Sequence, residues 1–190
     1  MAIILLFCLS LLPNPVAATT VQRFALSDLA INAERIVVGF CTEATPQLLD
    51  GQIYTRYLFD LDESIKGPRG SQLELHLPGG HFQGVFNRLA GMPIFRPGEE
   101  AVLFLTAGNE FGHAWPVGLA QGHFAIVRSD SSSAARVFQA LDGLSLYDRP
   151  GAAKKINSID PVQGMPLDSF LSQIRTLAQP EPGTEPQDAH

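Results

Sequence analysis

Four histidines lie in the middle of this chain: His76, His81, His113 and His123, with Glu99 between them. Zinc needs three or four neutral imidazole, thiolate or carboxylate donors converging on one point. A site here would require His81, His113 and His123 to meet at one end of the fold, joined by Glu99. The spacing His76-Leu77-Pro78-Gly79-Gly80-His81 matches no ligand motif, and no H-E-x-x-H occurs. Strand parity points His76 toward solvent.

The other reactive residue types are weaker. No G-x-S-x-G elbow is present, and Ser131-Ser132-Ser133 sits in a polar turn without strand-to-helix context. Cys41 closes an apolar run after Phe40, the setting of a buried structural thiol. Glu99 and Glu100 are adjacent, so on a strand they face opposite ways and do not share one acid/base site. Glu99 is expected to accept backbone N–H groups near Pro97-Gly98, with Glu100 solvated or paired with an arginine. Gly79-Gly80 lacks the lysine and following helix of a phosphate loop and reads instead as a close backbone approach. Phe82, Phe86, Phe95, Phe111 and Trp115 cluster in long connections. They are expected to plug the ends of the fold, while any left exposed would offer a binding surface.

The positioning elements are mainly strands. Ser27 reads as the N-cap of a short helix, Asp28 to about Ala33. Ile36 to Phe40 is a compact β-branched run, and Thr42 to Gly51 reads as a loop. Ile53, Thr55, Tyr57, Phe59 and Leu61 alternate with polar residues, as in a sheet wetted on one side. Leu73, Leu75 and Leu77 repeat the pattern until Pro78-Gly79-Gly80, which should end the strand. A short strand is expected around Phe82 to Arg88. Arg96-Pro97-Gly98-Glu99 fits a type II turn, leading into Ala101 to Thr106, apolar on both faces. Further strands are expected over Trp115 to Ala120 and His123 to Arg128, and Asp142-Gly143 suggests a hairpin within Val137 to Tyr147. Leu167, Phe170, Leu171, Ile174 and Leu177 form the stripe of an amphipathic helix, which most simply covers the open side of the sheet.

Five to seven short strands, with a helix before and one after, fit a small, partly open OB-like antiparallel barrel. Rolling up the sheet hides its edges. Residues 19–147 would form the barrel, 148–164 a linker, 165–178 the C-terminal helix and 179–190 a disordered tail rich in proline and acids.

Residues 1–18 read as a signal peptide: an apolar run from Ile3 to Leu12, a Pro-Asn-Pro break and Val16-Ala17-Ala18 for cleavage. The run is too short to span a bilayer, and no later stretch is long enough. Cys8 leaves with this segment, so Cys41 has no partner and the fold must stand without disulfides. Phe7 before Cys8 speaks against lipidation. All charged residues follow the cleavage site, and a formal charge of −6 argues against nucleic acid or anionic lipid as a partner.

Several segments together resemble an uncharacterised exported bacterial protein family, over about Glu34 to Val127. They are Ile36-Val37-Val38-Gly39, Tyr57-Leu58-Phe59 with Ile65-Lys66-Gly67, Leu77-Pro78-Gly79-Gly80, Gly91-Met92-Pro93-Ile94-Phe95, Pro97-Gly98-Glu99-Glu100, and Val117-Gly118-Leu119-Ala120-Gln121-Gly122. The layout is similar to the netrin/TIMP-like OB barrel, which implies association with an exported protease. Those inhibitors use an N-terminal cysteine on the protease zinc. This mature chain would begin near Thr19, so no inhibitory residue carries over. The expectation is a secreted or periplasmic, non-enzymatic binding domain without cofactor, its partner an exported protein or protease. The alternative is a metal-dependent hydrolase built on His81, His113 and His123.

Overall fold

The computed structural model describes residues 19–109, 112–129, 132–139, 141, 144–147 and 163–179. The signal segment, Phe111, Ser131, Asp142-Gly143, most of the linker and nearly all of the tail lie outside these residues.

Eight strands form one curled antiparallel sheet, a half-barrel, in the order β10-β8-β7-β6-β2-β3-β4-β5. They are β2 (Arg35–Leu49), β3 (Gln52–Lys66), β4 (Gln72–Phe82), β5 (Val85–Arg88), β6 (Glu100–Leu105), β7 (His123–Ser129), β8 (Ser132–Gln139) and β10 (Gln163–Pro166). Two helices, α1 (Leu26–Asn32) and α2 (Leu167–Leu177), flank it. The mainly β, partly open barrel expected from the alternation is the observed architecture.

Central strand β6 explains why its sequence is apolar throughout. Val102 and Phe104 join a core beneath the two helices, built with Ile36, Phe124 and Phe170. Ala101, Leu103 and Leu105 join a second core on the opposite face with Tyr57, Phe59, Leu75 and Phe95. Both faces of the sheet are therefore covered at its centre. In the first core Phe104, Phe124 and Phe170 stand in a row, with centroid spacings of 5.4 and 4.8 Å. The α2 stripe docks on its own sheet, with Phe170 and Ile174 fully buried. Arg175 adds a two-pronged ion pair to Glu63 at 3.0 and 2.7 Å.

Five local expectations change. Helix α1 is capped at Ala25, not Ser27, because the Asp28 carboxylate accepts the Ala25 N–H at 2.9 Å. Thr42 to Leu49 is strand rather than loop, and only Asp50-Gly51 turns. Pro46 is tolerated there because β6 pairs with β2 only as far as Phe40, so that edge needs no donor. Strand β4 runs on through Pro78-Gly79-Gly80 to Phe82. Trp115 to Ala120 forms no strand. Gly118 and Leu119 both take φ of 63°, and a 3₁₀ turn over Leu119–Gly122 follows. Strand β9 (Leu144–Tyr147) does not pair back on β8; it pairs in parallel with β1 (Thr19–Gln22). The buried Gln121 amide anchors the end of β1 by donating to Gln22 O at 2.9 Å and accepting the Phe24 N–H at 2.9 Å.

Candidate binding edge

The hairpin of β4 and β5 ends one side of the sheet. Its register pairs Gly79 with Arg88, Gly80 with Asn87, His81 with Phe86 and Phe82 with Val85. At its start, Gly79 and Gly80 of β4 take φ of 109° and 137°, which bends the strand. The bend brings the chain onto Thr55 of β3, whose hydroxyl donates to Gly79 O at 2.8 Å. A β-carbon on Gly80 would collide with that hydroxyl. The double glycine is a close backbone approach, as its sequence suggested.

Every residue of β5 is exposed. Val85 and Phe86 retain 59% and 64% of their surface in solvent, and Leu89 beyond them 42%. Among the described residues no strand pairs with the outer edge of β5. Strand edges carry unpaired N–H and C=O groups and readily accept another chain. The opposite end strand, β10, ends in Pro166, which cannot donate to a ladder.

The aromatic residues divide. Phe95 plugs the second core, 2% exposed, meeting Tyr57 and Phe59 edge-on at 5.2 and 5.1 Å. Phe82 and Trp115 are half-buried, with the Trp115 Nε1 buried and unpaired among the described residues. Of the four that are described, Phe86 is the one that is exposed.

The histidines do not converge. His81 is exposed on β4, while His113 stacks face to face on His76 at 4.3 Å. His123 is buried against Phe95, and burial pushes its pKa down to about 4. Among the described residues no three His, Cys, Asp or Glu side chains could hold a metal ion. His76, expected in solvent, is largely covered. Its ring nitrogens lie 2.9 Å from Gln47 Nε2 and 2.7 Å from Glu74 Oε1. Glu74 also binds Arg56 at 3.0 Å, and the His76 and Arg56 bonds hold its carboxyl below the usual range.

Cys41 is buried, its thiol donating to Glu43 O at 3.3 Å, and burial raises its pKa. That is the opposite of an activated thiolate. Glu99 accepts the Arg96 N–H at 3.0 Å across the Pro97-Gly98 turn. Glu100 is gripped by Arg128, with Nη2 to Oε2 at 2.7 Å, which lowers its pKa. Both roles match the sequence reading. Ser132 and Ser133 lie within β8.

Sequence reasoning passed over Val85, Arg88 and Leu89. A signal was available: Pro78 to Gly98 contains no acidic residue, in a chain that has 19. Among the described residues no helix is long and apolar enough to cross a membrane. No family model, curated protein or solved structure matches this chain.

Proposed function

We propose that the mature chain is an exported, non-catalytic binding domain that holds a partner protein against the free edge of β5. The observation that carries this reading is the exposed apolar edge at Val85, Phe86 and Leu89, beside an outer backbone edge with which no strand among the described residues pairs. Large exposed side chains next to unpaired backbone donors and acceptors favour an added strand. Export rests on the Ile3 to Leu12 run and the small residues at Val16-Ala17-Ala18. An exported protease is the partner class to try first, following the netrin/TIMP-like resemblance. The hydrolase alternative would need His81, His113 and His123 at one point, and their positions on β4, a loop and the buried start of β7 keep them apart.

A photoreactive amino acid placed at position 86 tests the reading in the exported fraction of producing cells. The same probe at Ser172, exposed on α2, is the control. A discrete adduct from position 86 that is absent from position 172 is expected. Equal labelling from both positions, or none from 86, contradicts it.

A further inference from the structure

The charges around β5 are segregated. The chain carries a formal charge of −6, yet Pro78 to Gly98 has no Asp or Glu and contains His81, Arg88 and Arg96. Three arginines elsewhere are neutralised at close range. Arg56 meets Glu43 at 2.7 Å, Arg128 meets Glu100 at 2.7 Å and Arg175 meets Glu63 at 2.7 Å. Arg88 is exposed and makes no ion pair among the described residues. Among the described residues Arg96 pairs with Glu99, at 3.5 Å, and stays 82% exposed. An unneutralised cation thus stands beside the apolar edge.

Strand geometry turns this into a recognition pattern. Side chains two apart share a face, so Phe86 and Arg88 point to one side of β5 and Val85 and Asn87 to the other. A strand added to the outer edge places its own residues opposite these, where apolar pairs and opposite charges attract.

Building on the binding reading above, we infer that the β5 edge takes an extended polypeptide segment carrying an apolar and an acidic side chain two positions apart. The apolar side chain packs on Phe86, and the carboxylate meets Arg88. Backbone hydrogen bonds to the edge supply affinity without sequence preference, and this pair supplies selectivity. Among the described residues no carboxylate of this chain pairs with Arg88, so the acidic group is supplied by the partner.

The test uses a fluorescein-labelled nine-residue peptide of Ser and Thr with Val-x-Glu-x-Val at its centre, and a second peptide with Lys replacing Glu. Anisotropy titrations against the mature chain are expected to show the acidic peptide binding about fivefold tighter. The preference should shrink in high salt, and amide exchange across Val85–Arg88 should slow on binding. Arg88→Glu should reverse the preference, and Phe86→Ser should weaken both peptides, with thermal melts unchanged because both side chains are exposed. Equal affinities, no binding of either peptide, or a mature chain that self-associates through this edge would each overturn the inference. If position 86 still crosslinks a partner in the Arg88→Glu variant as in the parent, the acidic preference is wrong while the binding function stands. Loss of crosslinking at 86 in the parent protein removes both.

Discussion

Phe95 presents its ring edge-on to His123, with centroids 4.8 Å apart and planes at 77°. The two residues join the connection between β5 and β6 to the first residue of β7. This pairing locks the segment that follows the proposed binding edge into the core that Phe95 shares with Tyr57 and Phe59. Its strength is therefore coupled to the ionisation of a buried imidazole.

Acid should loosen the fold in a defined window. The unfolded chain takes up a proton on His123 near the ordinary value of 6.5, while the folded chain resists until about 4. Between these values the unfolded state binds more protons, so stability falls as pH drops from about 6.5 and levels off for this group below about 4. The full effect is about 3 kcal/mol. Glu43, Glu74 and Glu100 have lowered pKa values and begin to cost stability only below their ordinary 4.5. Urea denaturation at pH 7 and pH 5 isolates the histidine. His123→Leu should flatten that difference, and an unchanged slope would assign the acid sensitivity elsewhere.

Removing the plug should be costly. Phe95 is buried against Tyr57, Phe59 and His123, so Phe95→Ala is expected to lose about 3–5 kcal/mol, read as a lower urea midpoint. A shift below about 1 kcal/mol would mean that the connection is held by other contacts.

The bend at Gly79-Gly80 gives a paired prediction. Gly80→Ala must accept a positive φ and also displace the Thr55 hydroxyl, whereas Gly84→Ala at φ 81° meets open space. Gly84→Ala is expected to cost about 1 kcal/mol. Gly80→Ala should cost more and should speed amide exchange along Val85–Arg88. Equal costs would show that the bend tolerates a side chain.

Helix α2 should be indispensable. Truncation after Gly164 exposes the core that Phe170 and Ile174 cover, so the shortened chain should lose its cooperative thermal transition. Arg175→Ala, which removes only an exposed ion pair, should cost about 1 kcal/mol or less. A stable truncated chain would make α2 a handle for a partner instead.

How much of this was legible depends on the range of the determining contacts. The alternation from Ile53 to Leu61, the Pro97-Gly98 turn, the buried Ala101 to Leu105 run and the α2 stripe are local patterns, and each appears where the residues place it. Strand β2 beyond Phe40 was hidden because Pro46 signals a loop unless one knows that the strand has a free edge there. Likewise the parallel pairing of β9 with β1 depends on segments at opposite ends of the domain. The site follows the same rule. Phe86 and Phe95 look alike in sequence, and only the curl of the sheet decides that one plugs the core and the other meets water. Covering of His76 by His113 is equally non-local.

Amide hydrogen exchange of the mature chain, free and bound to the protein recovered by crosslinking at position 86, tests the β5 edge most directly. Slowed exchange in Val85–Arg88, with the exposed face of α2 unchanged, is the expected result. Protection on another face, with β5 exchanging as in the free chain, would contradict it.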